Sequence, residues 1–218
     1  MAARYTHATE DYGHAVLGDG IEARGLTVTL AEPPGACRTL LLTRDRVFED
    51  ITPRLADVTG DGAIDVIAVE TPVAAGAQLS VFGLEPGGDR PVRLAATPPI
   101  GRAFRWLAPA AIADFDGDGI DDVAYVETPH IGGTLRIWSF AGGEARQIAA
   151  RGGVSNHRIG QAFIPGGLRT CGRGPEIVLA DAGWQRTLSA RLEGGEIFLE
   201  PLPQPATVEG LREALICP

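Results

Sequence analysis

The chain has 218 residues, of which 44% are hydrophobic and 22% charged, and its 19 basic residues, all Arg, against 28 acidic ones give a formal net charge of −9. This charge disfavours a nucleic-acid backbone or an anionic membrane surface as a partner and favours a cation. Because the sequence contains no Lys, a phosphate-binding P-loop and a Schiff-base lysine are excluded.

Glycine and proline dominate the composition, with 29 Gly and 16 Pro. This is too much for a helical bundle and, without a Gly-x-y period, is not typical of collagen, so short strands with frequent turns fit better. The longest apolar runs are well short of the roughly 18 to 20 residues that span a bilayer. We therefore expect no membrane insertion, and no signal peptide within this chain.

The predicted strands form four units of three or four strands, at about residues 12–47, 48–104, 105–155 and 156–202. The tail, 203–218, includes the only segment with helical spacing, 208–216, which predicts a short C-terminal helix. In chain order the predicted strands are 14–17, 26–30 and 38–42, then 66–69, 78–83 and 92–95, then 122–127, 135–140 and 145–149, and finally 176–180, 186–192 and 197–199.

An internal repeat is the strongest feature of the sequence. Residues 55–72 align without a gap on residues 112–129, with 11 of 18 positions identical. One structural unit therefore occurs at least twice. Small antiparallel sheets of this length stack around an axis as propeller blades or pair as a sandwich.

Each copy of the repeat contains an acidic turn. In the second copy, carboxylates stand at positions 1, 3, 5 and 9 of the turn, where Ca²⁺ would find several of its six to eight oxygen ligands. An EF-hand does not fit, because Tyr125 occupies position 12 and a strand follows. In the first copy Thr59 replaces one carboxylate, which predicts weaker binding. The alternative for both copies is an ordinary Asp/Gly turn without metal.

The repeated pattern D-x-D-x-D-G-x-x-D between short strands resembles the FG-GAP or VCBS-type calcium-binding repeat of integrin α-chain propellers and of many exported bacterial proteins. The resemblance covers residues 48–150 well and the flanking units poorly. It implies an all-β fold, a single small β-propeller of four blades, with a structural Ca²⁺ in each acidic turn. The ligands it implies are Asp114, Asp116, Asp118, the Ile120 carbonyl and Asp122 at the stronger site, and Asp57, Thr59, Asp61, the Ala63 carbonyl and Asp65 at the weaker site.

The three cysteines have no C-x-x-C spacing, which argues against a structural zinc site or a dithiol redox motif. We expect an exported protein, periplasmic or extracellular, in which one cysteine pair can form. Our preferred pair is Cys171 with Cys217, which would tie down the tail. The alternative is three buried thiols, and we prefer a buried thiol for Cys37.

A ligand pocket is predicted from the repeat register, because residues just before the first strand of each propeller blade face the central funnel. The alternative is packing and ion pairing between the blades. The predicted pocket residues are Tyr12, His14, Glu49, Asp50, Arg105, Trp106, Asn156, His157 and Arg158.

Two functional classes follow from these features. The favoured class is a monomeric, calcium-stabilised binding module that recognises a small ligand, a glycan, a peptide or a protein partner. The alternative is a hydrolase in which His14 or His157 acts as a base beside Glu49 or Asp50, with an arginine stabilising the developing anion. The sequence has neither a Gly-x-Ser-x-Gly elbow nor an H-E-x-x-H helix, which favours the binding module.

Overall fold

A computed structural model describes residues 1–217 and shows an all-β protein, with three antiparallel sheets and one short α-helix in that range. The predicted fold class, all-β with a short C-terminal helix, is confirmed. Within the described residues, no helix combines the length and the apolar character needed to cross a membrane.

The first sheet contains the strands of the first two predicted units. Its eight strands are β1 (Ala2–Thr9), β2 (Glu22–Thr29), β3 (Cys37–Leu41), β4 (Arg46–Phe48), β5 (Arg54–Ala56), β6 (Asp65–Pro72), β7 (Gln78–Leu84) and β8 (Pro91–Ala96). They are ordered β1-β2-β4-β6-β7-β8, while β3 also pairs with β2 and β5 also pairs with β6.

The other two sheets correspond to the third and fourth predicted units. The second sheet has the strands β9 (Leu107–Ala113), β10 (Asp122–Glu127), β11 (Thr134–Ser139) and β12 (Arg146–Gly152). The third sheet has the strands β13 (Val154–Ser155), β14 (Gly167–Thr170), β15 (Pro175–Asp181), β16 (Thr187–Glu193) and β17 (Glu196–Pro201), and helix α1 (Val208–Glu213) follows it. The strand order of the second sheet is β12-β11-β10-β9. The strand order of the third sheet is β13-β15-β16-β17, and β14 also pairs with β15.

The sheets stack because their central strands are apolar on both faces. In β10, Val123 and Tyr125 belong to the apolar cluster shared with the first sheet, whereas Ala124 and Val126 belong to the cluster shared with the third. Successive side chains of a strand point to opposite faces, so this continuous apolar run places β10 between two packed layers. Strand β6 is likewise buried on both faces.

Four separate blades closed into a ring are not confirmed. Strand β4 pairs with β2 through Ala23 and Phe48 and with β6 over Arg46–Phe48, so the first two units share one sheet. Across residues 1–217, no apolar cluster joins the third sheet to β1, β2 or β3. The observed architecture is three antiparallel sheets, of which the second packs against both the first and the third.

The first predicted strand, residues 14–17, is wrong. These residues form turns, and the strand that completes the first unit is β1, which pairs with β2 from Ala2 opposite Thr29 to Thr9 opposite Glu22. Strand β1 is half-buried at best and rich in Ala and Thr, so its pattern did not distinguish it from a polar segment.

The tail is held by a helix and a disulfide. The Thr207 side chain accepts a hydrogen bond from the Gly210 amide and caps α1, and Leu211 packs against β15. A disulfide joins Cys171 to Cys217, as the preferred pairing predicted. The expectation that Cys37 is buried is wrong, because β3 is paired on one side only and leaves this thiol exposed.

Candidate functional site

The two acidic turns share one backbone arrangement. The carboxylate of Asp114 accepts hydrogen bonds from the Gly117 amide at 2.7 Å and the Gly119 amide at 3.0 Å, and Asp57 accepts the equivalent two glycine amides at 2.8 Å each. Gly117 and Gly119 have φ angles of +80° and +90°, in the left-handed region that favours glycine. The sequence repeat therefore reflects a repeated turn, which connects β5 to β6 and β9 to β10.

The second turn gathers the better set of metal ligands. Carboxylate oxygens of Asp114, Asp116 and Asp122 all lie within 4.8 Å of one another. Asp118 is not part of this group, and its carboxylate accepts the Ile120 amide at 2.8 Å. Burial, which outweighs a hydrogen bond from the Phe115 amide, raises the pKa of Asp122 to about 7. Three convergent carboxylates suit a hard cation with oxygen ligands such as Ca²⁺.

The first turn is closed by internal hydrogen bonds. One oxygen of Asp65 accepts bonds from the Thr59 hydroxyl and the Thr59 amide, both at 3.0 Å, and from the Val58 amide at 3.1 Å. Asp61 accepts the Ala63 amide at 2.8 Å. Within residues 1–217 this turn does not bring three acidic side chains together as the second does. The predicted ranking of the two turns as calcium sites stays a prediction.

A cavity of about 320 Å³ lies between the segment before β9, the loop that joins β10 to β11, and the loops that carry His14 and Ile159. Three of the predicted pocket residues line it, namely His14, Arg105 and Trp106. The complete lining is His14, Phe104, Arg105, Trp106, Thr128, Pro129, His130, Ile131 and Ile159. None of the other lining residues was predicted, although Phe104 adjoins Arg105 and His130 directly follows the repeated Glu-Thr-Pro.

A buried carboxylate holds His14 at the cavity. Nδ1 of His14 contacts Oε1 of Glu49, and the Thr71 hydroxyl donates to Oε2 of Glu49 at 2.9 Å. Glu49 is completely buried, and this burial raises the pKa of its carboxyl group despite the contact with His14. The Glu49 contact fixes the imidazole, so Nε2 is the nitrogen left for a ligand.

Trp106 forms the centre of an aromatic cluster. Its indole Nε1 donates to the backbone oxygen of Glu49 at 2.8 Å, and its ring stacks on His130 with 6.2 Å between centroids. His157 meets the same indole edge-on at 4.8 Å. Tyr12 stacks on Phe104 at 5.0 Å, and its hydroxyl accepts the Phe104 amide at 2.7 Å. Aromatic rings therefore support the cavity from two sides.

The two histidines beside Trp106 form a chain of hydrogen bonds in which the donor and the acceptor of each bond can be assigned. Nε2 of His157 lies 2.8 Å from the carbonyl of Gln161, which only accepts, so this nitrogen must carry a proton. In a neutral imidazole Nδ1 is then an acceptor, and it receives a hydrogen bond from Nε2 of His130 over 2.9 Å. Burial lowers the pKa of His130 to about 4 and lowers the pKa of His157 as well.

This histidine chain should make the protein sensitive to acid. In the unfolded chain both imidazoles are protonated near their ordinary pKa of about 6.5, whereas the folded state keeps them neutral to lower pH. Acidification from pH 6.5 to 4 therefore favours unfolding, and we expect a loss of about 2 kcal/mol for His130, given its partial exposure. Chemical denaturation across this range measures the loss.

The matched variant for this prediction is His130→Gln, whose amide can still donate to His157. The difference between wild type and variant isolates His130 from every other titrating group. We expect the unfolding free energy of the variant to fall less steeply between pH 6.5 and 4. Identical pH profiles would show that His130 does not contribute.

Backbone strain is concentrated around the cavity. Three of the five non-glycine residues with positive φ lie in its wall or next to it, namely Ala15 at 54°, Phe104 at 55° and Thr128 at 49°. Such conformations cost on the order of 1–3 kcal/mol each and are retained where the surrounding structure enforces them, often at functional sites. Phe104 is also 50% exposed, which presents an apolar ring to any molecule entering the cavity.

The other predicted pocket residues lie outside this cavity. Asp50 is bound by Arg54, with its two oxygens 2.8 and 3.2 Å from the guanidinium nitrogens. The Asn156 amide donates to the backbone oxygens of residues 108 and 109. The Arg158 guanidinium lies over the Trp184 ring, 4.5 Å from its centroid. Glu49, Tyr12 and His157 stand behind the lining residues as its supports.

The fold and the site together define a class, an all-β protein of stacked antiparallel sheets with a carboxylate-rich turn and a separate aromatic and histidine-lined cavity. No family model matches the chain, and no curated protein matches its sequence.

Proposed function

We propose that the protein is a calcium-stabilised binding module that recognises a small ligand, such as the end of a glycan, in the cavity lined by His14, Phe104, Trp106 and His130. The observation that carries this proposal is the cavity itself, about 320 Å³ with aromatic walls and a strained backbone. A concave site with aromatic surface and a few polar groups is the usual form of a small-ligand site.

The wall chemistry favours a ligand with one apolar face and several hydroxyl groups. Phe104 and Trp106 supply flat apolar surface, and a sugar ring offers C–H groups that pack against such surface. Nε2 of His14, the Arg105 guanidinium and the Thr128 hydroxyl supply polar partners for the hydroxyl groups. His130 is neutral near pH 7 and adds no charge.

The calcium part of the proposal rests on the second acidic turn. Asp114, Asp116 and Asp122 would hold the ion, which would neutralise their mutual repulsion and stabilise the corner between β9 and β10. The resemblance to FG-GAP repeats also suggests that the four units form a propeller, and the burial of β6 and β10 on both faces supports this arrangement. The Cys171–Cys217 disulfide supports an exported module in an oxidising compartment, and we propose that the module acts as a monomer.

One observation favours a hydrolase as the second candidate. The contact between His14 and Glu49 matches the histidine–carboxylate pair of a general base, and His14 lines the cavity. Thr128 is the only hydroxyl-bearing residue in that lining, and no cysteine belongs to it, so the base would have to activate water. Turnover of a bound glycan or ester that His14→Gln abolishes would support the hydrolase over the binding module.

The test of the binding cavity is the variant Phe104→Ala in a glycan-panel screen followed by calorimetry on the best binder. We expect affinity to fall at least tenfold, because the exposed ring forms one wall and truncation of an interface aromatic commonly costs more than 1 kcal/mol. The matched control is Phe198→Ala, which removes a 46% exposed ring on β17, outside the cavity. The control should bind like wild type.

Two results would contradict the proposal. One is the absence of any binder in a broad panel of glycans and small polar ligands. The other is a binder whose affinity is the same for wild type and Phe104→Ala, since it would occupy a different site.

A further inference from the structure

A second cavity, of about 330 Å³, lies between β1, β2 and the turn before β2. Its lining combines the acidic residues Asp19, Glu22 and Asp50 with the aromatic rings of Tyr5 and Phe48. It shares no lining residue with the cavity of the proposed function. This cavity is therefore a separate feature of the molecule.

The side chain of Glu22 is mostly buried there, and its carboxylate faces the cavity without a protein partner. Glu22 is only 7% exposed, and within residues 1–217 its side chain forms no hydrogen bond and no ion pair. The neighbouring carboxylates do have partners, since Asp50 is paired with Arg54 and Glu49 with His14. A carboxylate that has lost most of its hydration without gaining a protein partner is disfavoured in its charged form, and a cation in the cavity would supply that partner.

The surroundings of Glu22 disfavour a negative charge on its carboxylate. Burial, together with the nearby charges of Glu49 and Asp19, raises the pKa of Glu22 to about 8. The same negative region reaches Tyr12, whose pKa is raised to about 12 by burial and by Glu49 and Glu22. His14 faces Glu49 from the other side and does not contact Glu22. A positive charge at this position would relieve both the burial and the repulsion.

The geometry excludes a single metal ion held by these acids together. Within residues 1–217, only Asp114, Asp116 and Asp122 place three candidate ligand atoms within 4.8 Å of one another. The acids of the second cavity are farther apart and are accompanied by apolar surface. Tyr5 and Phe48 stack with 5.2 Å between their centroids, and such rings attract organic cations. Exposed Ile21 and Ile51 stand at the rim.

We propose that this cavity binds a protonated organic amine, with the Glu22 carboxylate as its charge partner, Asp19 as a second polar contact at the rim and Tyr5 and Phe48 as the surface for its alkyl chain. The ligand is a small primary ammonium compound or the amine of a larger molecule. This site adds a second specificity to the proposed binding module and does not depend on the first cavity.

The test uses n-butylammonium chloride as the probe and n-butanol as its neutral counterpart, with calorimetry and thermal unfolding at pH 9. At this pH Glu22 is mostly ionised, and the amine, with a pKa comparable to that of lysine, is still protonated. We expect n-butylammonium to bind wild type and raise its melting temperature, and n-butanol to bind at least tenfold more weakly. The affinity of n-butylammonium should rise as the pH increases from 6 to 9.

Two variants and one control locate the binding. Glu22→Gln keeps the shape and removes the charge, so n-butylammonium affinity should fall at least tenfold. The variant should itself melt a few degrees higher at pH 9, because an unpaired buried carboxylate is gone. Ala162→Trp fills the rim at an exposed position and should block binding without unfolding the protein. Glu196→Gln removes an equal charge from an exposed position on β17 and should change nothing.

The proposal is overturned if n-butylammonium does not bind wild type, if n-butanol binds equally well, or if Glu22→Gln and Ala162→Trp both bind like wild type. Each of these results leaves the glycan cavity intact, because Phe104→Ala tests that cavity separately.

Discussion

Removing calcium should lower the melting temperature of the wild-type protein by about 5 to 10 °C, and adding it back should restore the original value. A ligand present at 100 times its dissociation constant stabilises the folded state by about 2.7 kcal/mol. For a domain of about 200 residues, each kcal/mol corresponds to roughly 2–4 °C. The stabilisation arises because Asp114, Asp116 and Asp122 converge only in the folded chain. Thermal unfolding with a chelator, then with excess Ca²⁺, measures it.

The two acidic turns provide a matched pair of variants. Asp116→Asn removes one carboxylate from the convergent group and should abolish most of the calcium response. Thr59→Val changes the corresponding position of the first turn, where the hydroxyl donates to Asp65. It should lower the stability of the calcium-free protein by about 1 kcal/mol through the lost hydrogen bond and leave the calcium response intact. A full response in Asp116→Asn would exclude the second turn as the calcium site.

Reduction of the Cys171–Cys217 disulfide should lower the free energy of unfolding by about 4 kcal/mol. The crosslink closes a loop with a sequence separation of 46 residues, and in the chain-entropy account a loop of this length restricts the unfolded ensemble by about that amount. Equilibrium denaturation with and without a reductant measures the change. The double variant Cys171→Ser with Cys217→Ser should match the reduced wild type.

The control for this prediction is Cys37→Ser, which removes the exposed thiol of β3 and should keep the full effect of reduction. The competing outcome is local fraying of the tail. Helix α1 keeps other attachments without the disulfide, including a 2.8 Å hydrogen bond from Arg169 to the Ala214 carbonyl. If reduction increases hydrogen exchange only in α1 and leaves global stability unchanged, the disulfide holds the tail alone.

The turns and strands that are determined by residues close together in the sequence were predictable. Turn chemistry is local, so the repeated Asp and Gly positions identified both acidic turns, and the structure places strands on either side of each of them. Period-two and continuous apolar patterns likewise predicted β6, β10 and β15 to within three residues at each end. The pattern failed at strand β1 and at residues 14–17, where it is weak, and the predicted strands do not include β4, β5, β9, β13 or β14.

The residues of the candidate cavity were likewise predictable only in part. The register of the repeat indicated His14, Arg105 and Trp106 as cavity residues, because corresponding positions of repeated units come together. The repeat register did not indicate that Asp50 forms an ion pair with Arg54, four residues away. It also did not indicate that Phe104 and His130 complete the cavity wall. Ion-pair choice and cavity shape depend on which side chains meet after packing.

The sequence by itself determined the all-β class, the two acidic turns and the unequal numbers of acidic residues in them, because strand patterning and turn formation act over a few residues. Only the tertiary structure decided that the first two units share one sheet, that Glu49 supports His14 and that Glu22 is buried without a partner. These features join segments far apart in the chain. Which strands pair and which side chains meet depends on the burial and electrostatics of the packed molecule, and these cannot be predicted from a local sequence pattern.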